Sequence, residues 1–285
     1  MYATSFSKQK APLNYKHKKA FDNYTISALS LMSMSIISGI AEVAKETIWP
    51  SRCAICDTPG EVLCTKCIDK LDFVDACKAC ERCGAPYSQN QCTECNDVMI
   101  ASNGGQDFPL AQMRHVVALN DDSLRIIKVY KDGNERRLAS IIAGMMSEYI
   151  EPAWKAEDAI LTFIPATKEA LSRRGFDHMQ EISSLISKIS GLSLYSIFER
   201  PYSSDQRTLG RKDRLANMEK MLVCKNMPQL LHDENAFCHA PLSSRPLIVT
   251  DDVCTSGATL FAASNALKQA GWKKAYGLTF GRVLD

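Results

Sequence analysis

The run 247–260, LIVTDDVCTSGATL, decides how this chain is read. Residues 247–250 are apolar or β-branched, follow Pro246, and read as a buried strand. Asp251 and Asp252 stand where that strand is expected to end. A short loop over 253–257 should follow, then a helix to about residue 270, with Gly271 as its C-terminal stop.

Such a turn has specific uses. Thr255, Ser256 and Thr259 supply hydroxyls, and Gly257 lets the backbone approach a ligand closely. The first amides of a helix point outward unpaired, which suits a phosphate. Two adjacent carboxylates suit the vicinal hydroxyls of a ribose, and one can help to hold Mg²⁺. The combination reads as a grip for a ribose 5-phosphate. The plain alternative is a strand with an acidic cap running into an ordinary helix, and the full order of strand, Asp-Asp, Thr-Ser-Gly and helix weighs against it. The stretch resembles the signature of the type I phosphoribosyltransferases, which bind 5-phosphoribosyl-1-diphosphate (PRPP). That resemblance implies an α/β fold, a mostly parallel sheet flanked by helices with its site at the carboxyl ends of the strands. It assigns ligand contacts to Asp251, Asp252, Val253, Cys254, Thr255, Ser256, Gly257, Ala258 and Thr259.

The chain around this stretch has 285 residues, 46% of them hydrophobic, enough for one main domain and something smaller. A net charge of +2 gives no global electrostatic argument for nucleic acid. The N-terminus carries no secretory pattern. Residues 26–44 are apolar enough to raise a membrane span, but five serines, Glu42 and helical spacing of Leu29, Met32, Ile36, Ile40 and Val43 favour a packed amphipathic helix. A cytoplasmic protein without stable membrane insertion is expected. Residues 1–34 read as a disordered or helical extension, 35–100 as an apolar helix with a cysteine-rich zinc-ribbon domain, and 110–285 as the α/β domain.

Nine of the 12 cysteines fall between Cys53 and Cys95. Cys53/Cys56, Cys64/Cys67, Cys80/Cys83 and Cys92/Cys95 are four CxxC knuckles, each offering two thiolates on a tight turn, and two knuckles complete a tetrahedral Zn²⁺ site. Two structural zinc ions are expected. A disulfide framework would need an oxidising compartment, and a redox CxxC normally occurs once, beside a βαβ unit. Spacing does not say whether the knuckles pair in order or cross over. Cys77 is left over and read as structural.

In the second domain, strands are expected at 115–119 and 160–164, with helices over 121–131, 134–151 and on to 188. A cysteine block ahead of such a domain resembles the ComF family of bacteria. The match includes Trp49-Pro50, YKDGNERRLA at 130–139, RRGF at 173–176, and Gln206, Leu209, Arg214 and Asn217. Where that family continues RGF with Asn-Gln, this chain has Asp177 and His178. His178 could serve as a general acid or base, or as a surface or capping residue.

The resemblance implies PRPP as ligand, with Mg²⁺, and transfer of its phosphoribosyl group to an acceptor in DNA uptake or nucleotide salvage. Ala166, Thr167 and Lys168 would form the diphosphate loop, Arg174 would neutralise the leaving group beside the catalytic pair Asp251 and Asp252, and Gln206, Arg211 and Arg214 would belong to a lid. The alternative is a non-catalytic sensor of PRPP or nucleotide, or a competence protein handling single-stranded DNA with a helicase partner. A homodimer fits either reading.

Overall fold

Two sequence patterns build this molecule, a knuckle-rich block and a βα alternation. The computed structural model describes residues 51–88, 92–96, 98, 108–199, 222–225 and 242–284. The N-terminal extension, the apolar helix at 26–44 and the expected lid residues Gln206, Arg211 and Arg214 lie outside them. Ser51–Asp285 forms one compact unit, so the cysteine block and the α/β region are not separate bodies.

The elements, in order, are α1 (Thr65–Ile68), β1 (Gln112–Ala118), α2 (Asp121–Lys131), α3 (Leu138–Glu148), α4 (Pro152–Ala156), β2 (Ile160–Phe163), α5 (Lys168–Arg174), α6 (His178–Ser190), β3 (Leu247–Cys254), α7 (Ala258–Gln269) and β4 (Ala275–Arg282). Helix α2 starts where a capping box between Asn120 and Ser123 satisfies its first amides. The helix expected from residue 134 begins only at Leu138, because Asn134 sits at φ +55° and the chain turns before it can coil. The helical pattern expected to run through to 188 is two helices, parted where Gly175 adopts φ +77° and Asp177 caps α6. Strand β1 begins three residues earlier than expected.

The four strands form an all-parallel sheet in the order β1-β4-β3-β2. Leu247 and Val249 join α7 in one apolar core with Leu260, Ala263 and Leu267. On the other face the Thr250 hydroxyl meets that of Ser183 on α6 at 2.7 Å, and α3 packs beside α6. The sheet is therefore covered on both faces, as a parallel sheet requires.

The connections place the crevice. After β2 the chain passes through α6 and returns outside β2, where Leu161 bridges Leu194 in parallel. After β3 it goes the other way, through α7 to β4. Neighbouring strands whose successors diverge make a topological switch point, and open α/β sheets bind ligands at the carboxyl ends of such strands.

The outer edge of β1 is closed by the cysteine block. Val74 N donates to Val116 O at 2.9 Å, Ala118 N to Asp72 O at 2.8 Å, and Met113 N to Arg82 O at 2.8 Å. These bonds satisfy an edge that would otherwise offer bare amides to other chains. At Gly84 a Cβ would lie 2.8 Å from both the His115 ring and Met113 O, so only glycine permits this approach.

Candidate functional site

Each half of the cysteine block brings four sulfurs together. Cys53, Cys56, Cys64 and Cys67 hold their Sγ atoms within 4.8 Å of one another, and so do Cys80, Cys83, Cys92 and Cys95. The knuckles pair in sequence order, which settles what spacing left open. Cys56 and Cys64 are 3.7 Å apart, and Cys80–Cys95 and Cys83–Cys92 are 3.5 Å apart. A tetrahedron with Zn–S of about 2.3 Å places sulfurs about 3.8 Å apart, so the cages fit zinc. Burial pushes the Cys67 and Cys83 thiols up and the Cys95 thiol up to about 12, whereas the Thr58 hydroxyl brings exposed Cys56 down to about 6. Such crowded sulfurs ionise together only around a cation. Cys77 stands outside both cages, exposed on a turn.

The second cage is wired to the sheet. Arg282, at the end of β4, donates from Nη1 to Cys83 O at 2.7 Å and lies 2.9 Å from His115 Nε2, while its Nη2 pairs with Glu94 between Cys92 and Cys95. His115 Nδ1 lies 2.7 Å from Thr279 Oγ1, which donates to Gly281 O. His115 Nε2 also lies 3.0 Å from Cys83 O, so both ring nitrogens are engaged and which of them carries the proton is set by this network. Burial holds His115 down to about 4, consistent with a neutral ring.

At the switch point the structure corrects the strand boundary. β3 does not stop before Asp251; it runs to Cys254, because β4 continues beside it with Asp251 opposite Thr279 and Cys254 opposite Arg282. β2 ends at Phe163, opposite Thr250, so Asp251 and Asp252 project past its end. Neither acid is an exposed strand-end group; Asp251 is 9% and Asp252 8% exposed. The turn that follows is shorter than expected, and α7 starts at Ala258 after Gly257 at φ +77°, where a Cβ would press the Phe261 ring at 3.0 Å. Thr255 is exposed, and Val253, Ser256, Ala258 and Thr259 are half-buried around it. Cys254 is buried, burial pushes its thiol up to about 12, and it packs in the core cluster around α7.

The residues expected to form a diphosphate loop follow β2. Ala166 is buried, Thr167 caps α5 by accepting from Ala170 N, and Lys168 is exposed. Asp177 ties this loop down, accepting from Ala166 N at 3.0 Å while capping α6 through Gln180 N. Arg174 reaches Asp132 at 3.4 Å with its side chain 13% exposed. Arg173 is a surface residue, 67% exposed.

Sequence reasoning gave no role to the residue that contacts Asp252. Lys131, the last residue of α2, forms an ion pair with Asp252 Oδ2, and His178 Nε2 lies 3.7 Å from the same oxygen. Burial draws the Lys131 ammonium down to about 8, against the pull of Asp251, and pushes the Asp251 carboxyl up to about 7. Tyr130 braces the arrangement, donating to His178 O at 2.9 Å and meeting Glu181 at 3.0 Å. The available signal was the Lys-Asp-Gly ending of an amphipathic helix, which marks a cap as readily as a site.

His178 is neither a surface nor a capping residue. It is buried at the first position of α6, with Nδ1 unpartnered, and burial, Lys131 and Arg174 hold its pKa far below the ordinary 6.5. The folded protein excludes a proton that the unfolded chain binds, so this stability is complete above about pH 6.5 and lost as pH falls. Replacing His178 with Gln should make the denaturation midpoint less acid-sensitive, by about 1 kcal/mol between pH 6.5 and 5.5. Equal differences between wild type and variant at both pH values would show that His178 is not held neutral.

The structure gives no support for Mg²⁺ at the acid pair. Asp251 Oδ1 accepts from Asp252 N at 2.9 Å, Asp252 Oδ1 from Val253 N at 2.9 Å, and Asp252 Oδ2 is held by Lys131. Among the described residues, the sets of three or more metal-binding side chains gathered within reach of one ion are the two cysteine cages.

Among the described residues no helix is long and apolar enough to cross a membrane. A search of curated proteins finds no match for the chain. The double zinc ribbon domain matches residues 44–99, the span that carries both four-cysteine cages, and this part of the chain is a double zinc ribbon.

Proposed function

We propose that the crevice between β2 and β3 binds PRPP and that the protein transfers its phosphoribosyl group to an acceptor. One observation carries this reading: β2 and β3 are parallel neighbours whose chains leave in opposite directions, and an Asp-Asp pair stands at that switch point, followed by the turn into α7. In this reading the 5-phosphate sits at the start of α7, against Thr255, Ser256 and Thr259. The ribose hydroxyls lie toward Asp251 and Asp252, and the diphosphate toward 166–168 and Arg174. The bond from C1 to diphosphate breaks with its electron pair on the leaving group, and an acceptor lone pair forms the new bond and gives its proton to solvent. The carboxylates favour the positive charge on the ribosyl group as that bond opens. Gln206, Arg211 and Arg214 belong to the proposed lid, and Mg²⁺ enters with the diphosphate of the ligand rather than from the carboxylates.

Calorimetry with PRPP and Mg²⁺ tests the premise. The native protein should bind, and an Asp251→Asn, Asp252→Asn double variant should bind at least about tenfold more weakly, a loss of about 1.4 kcal/mol. No heat with native protein, or equal binding by the double variant, discards the reading. Diphosphate release on adding nucleobases marks a transferase; salt-sensitive binding of single-stranded DNA without release marks a DNA-handling protein.

A further inference from the structure

We propose that Lys131 is the resident counter-ion of the acid pair and stands where a divalent cation would otherwise be seated. The inference deepens the ribose-phosphate reading and rests on it for the choice of site, but the ion pair stands without it. Lys131 closes α2 and its ammonium contacts Asp252 Oδ2, with the lysine side chain 18% and the aspartate side chain 11% exposed. A cation brought to that oxygen would have to displace an ammonium of like charge. One oxygen of each carboxylate already accepts a backbone amide, and His178 approaches Asp252 from α6.

The charges around the pair point the same way. Asp252 has Lys131 against it, Arg174 is near enough to bear on both Lys131 and His178, and Asp132 takes Arg174 and Arg173. Mg²⁺ demands near-octahedral oxygen ligation and gives up water reluctantly; a carboxylate already paired with an ammonium meets neither need. An ammonium, by contrast, keeps three donors, so Lys131 can hold Asp252 and still donate to a ligand oxygen. The Lys-Asp-Gly end of α2 then belongs to the ligand site: Lys131 sets the carboxylate, and Asp132 steadies the guanidinium that faces the diphosphate.

Two measurements on the zinc-loaded full chain decide this. Mn²⁺, as a probe for Mg²⁺, is titrated while free ion is followed by electron paramagnetic resonance. Wild type should show no site tighter than on the order of 1 mM. Lys131→Gln should gain one at least about tenfold tighter, which disappears when Asp252→Asn is added. A wild-type site of about 0.1 mM that Asp252→Asn or Asp251→Asn removes overturns the proposal, and this arm decides alone should the lysine variant fail to fold. Binding of ribose 5-phosphate, which lacks the diphosphate, should differ by less than about twofold with and without Mg²⁺, and a tenfold loss without it also overturns the proposal. No binding in either condition sinks the ribose-phosphate reading instead, and the Mn²⁺ titration then decides the role of Lys131 by itself.

Discussion

Replacing Cys83 by serine should halve the bound zinc, from two ions per chain to one, and unfold the second ribbon. Cys83 contributes one of four sulfurs gathered within 4.8 Å, and its carbonyl accepts from Arg282. Structural zinc contributes about 10–16 kcal/mol of apparent binding energy, against a net folding stability of about 5–15 kcal/mol for a typical domain. A ribbon without its ion has too little apolar core to compensate: the cluster around the second cage is Cys80, Cys83, Ala85 and Cys95, with Cys92 and Phe108 beside it. The damage should reach the α/β region, because Met113 loses the carbonyl of Arg82 and β1 exposes part of its edge. Zinc quantitation with light scattering reads both effects. A variant that keeps two zinc ions, or loses one without raised aggregation, would contradict the assignment.

Lys131→Met should destabilise the protein by about 3–5 kcal/mol, the usual cost of orphaning one member of a buried ion pair. The methionine fills similar space, so the loss reports the carboxylate left beneath Lys131 and His178. Adding Asp252→Asn should recover most of it, since two neutral groups leave no unpaired charge. Urea denaturation of the two single variants and the double variant measures the coupling. A loss under about 1 kcal/mol for Lys131→Met would mean that the pair is effectively solvated.

The legible parts of the sequence were those fixed by local rules. Four CxxC knuckles announced two zinc cages, and the apolar run 247–250 with its following turn announced β3 running toward α7, while the parallel sheet came with the resemblance to the phosphoribosyltransferases. Helix α2 was read to its ends because Asn120 and Lys131 bound a clean amphipathic period. What failed depended on distant partners. Nothing local says that Asp251 to Cys254 continue a strand; β4 does, through pairs such as Asp251 with Thr279. Knuckle pairing was hidden because all four knuckles have the same CxxC form, and distance along the chain does not decide which two meet. Lys131 is 121 residues from Asp252 in sequence, and only the packing of α2 against the strand end brings them together. The seating of the ribbon on β1 carries no local sign beyond Gly84, which reads as an ordinary turn glycine.

The order of the strands has a consequence for how the chain assembles. β1 is hydrogen-bonded on one side by the ribbon and on the other by β4, whose residues are synthesised about 160 positions later. A nascent chain halted before residue 275 could complete its zinc knuckles and rest β1 against them, yet β1 and β3 would face each other across an empty lane. Closure therefore waits on Ala275–Arg282, and until then the bonds from the ribbon are the ones within reach of β1.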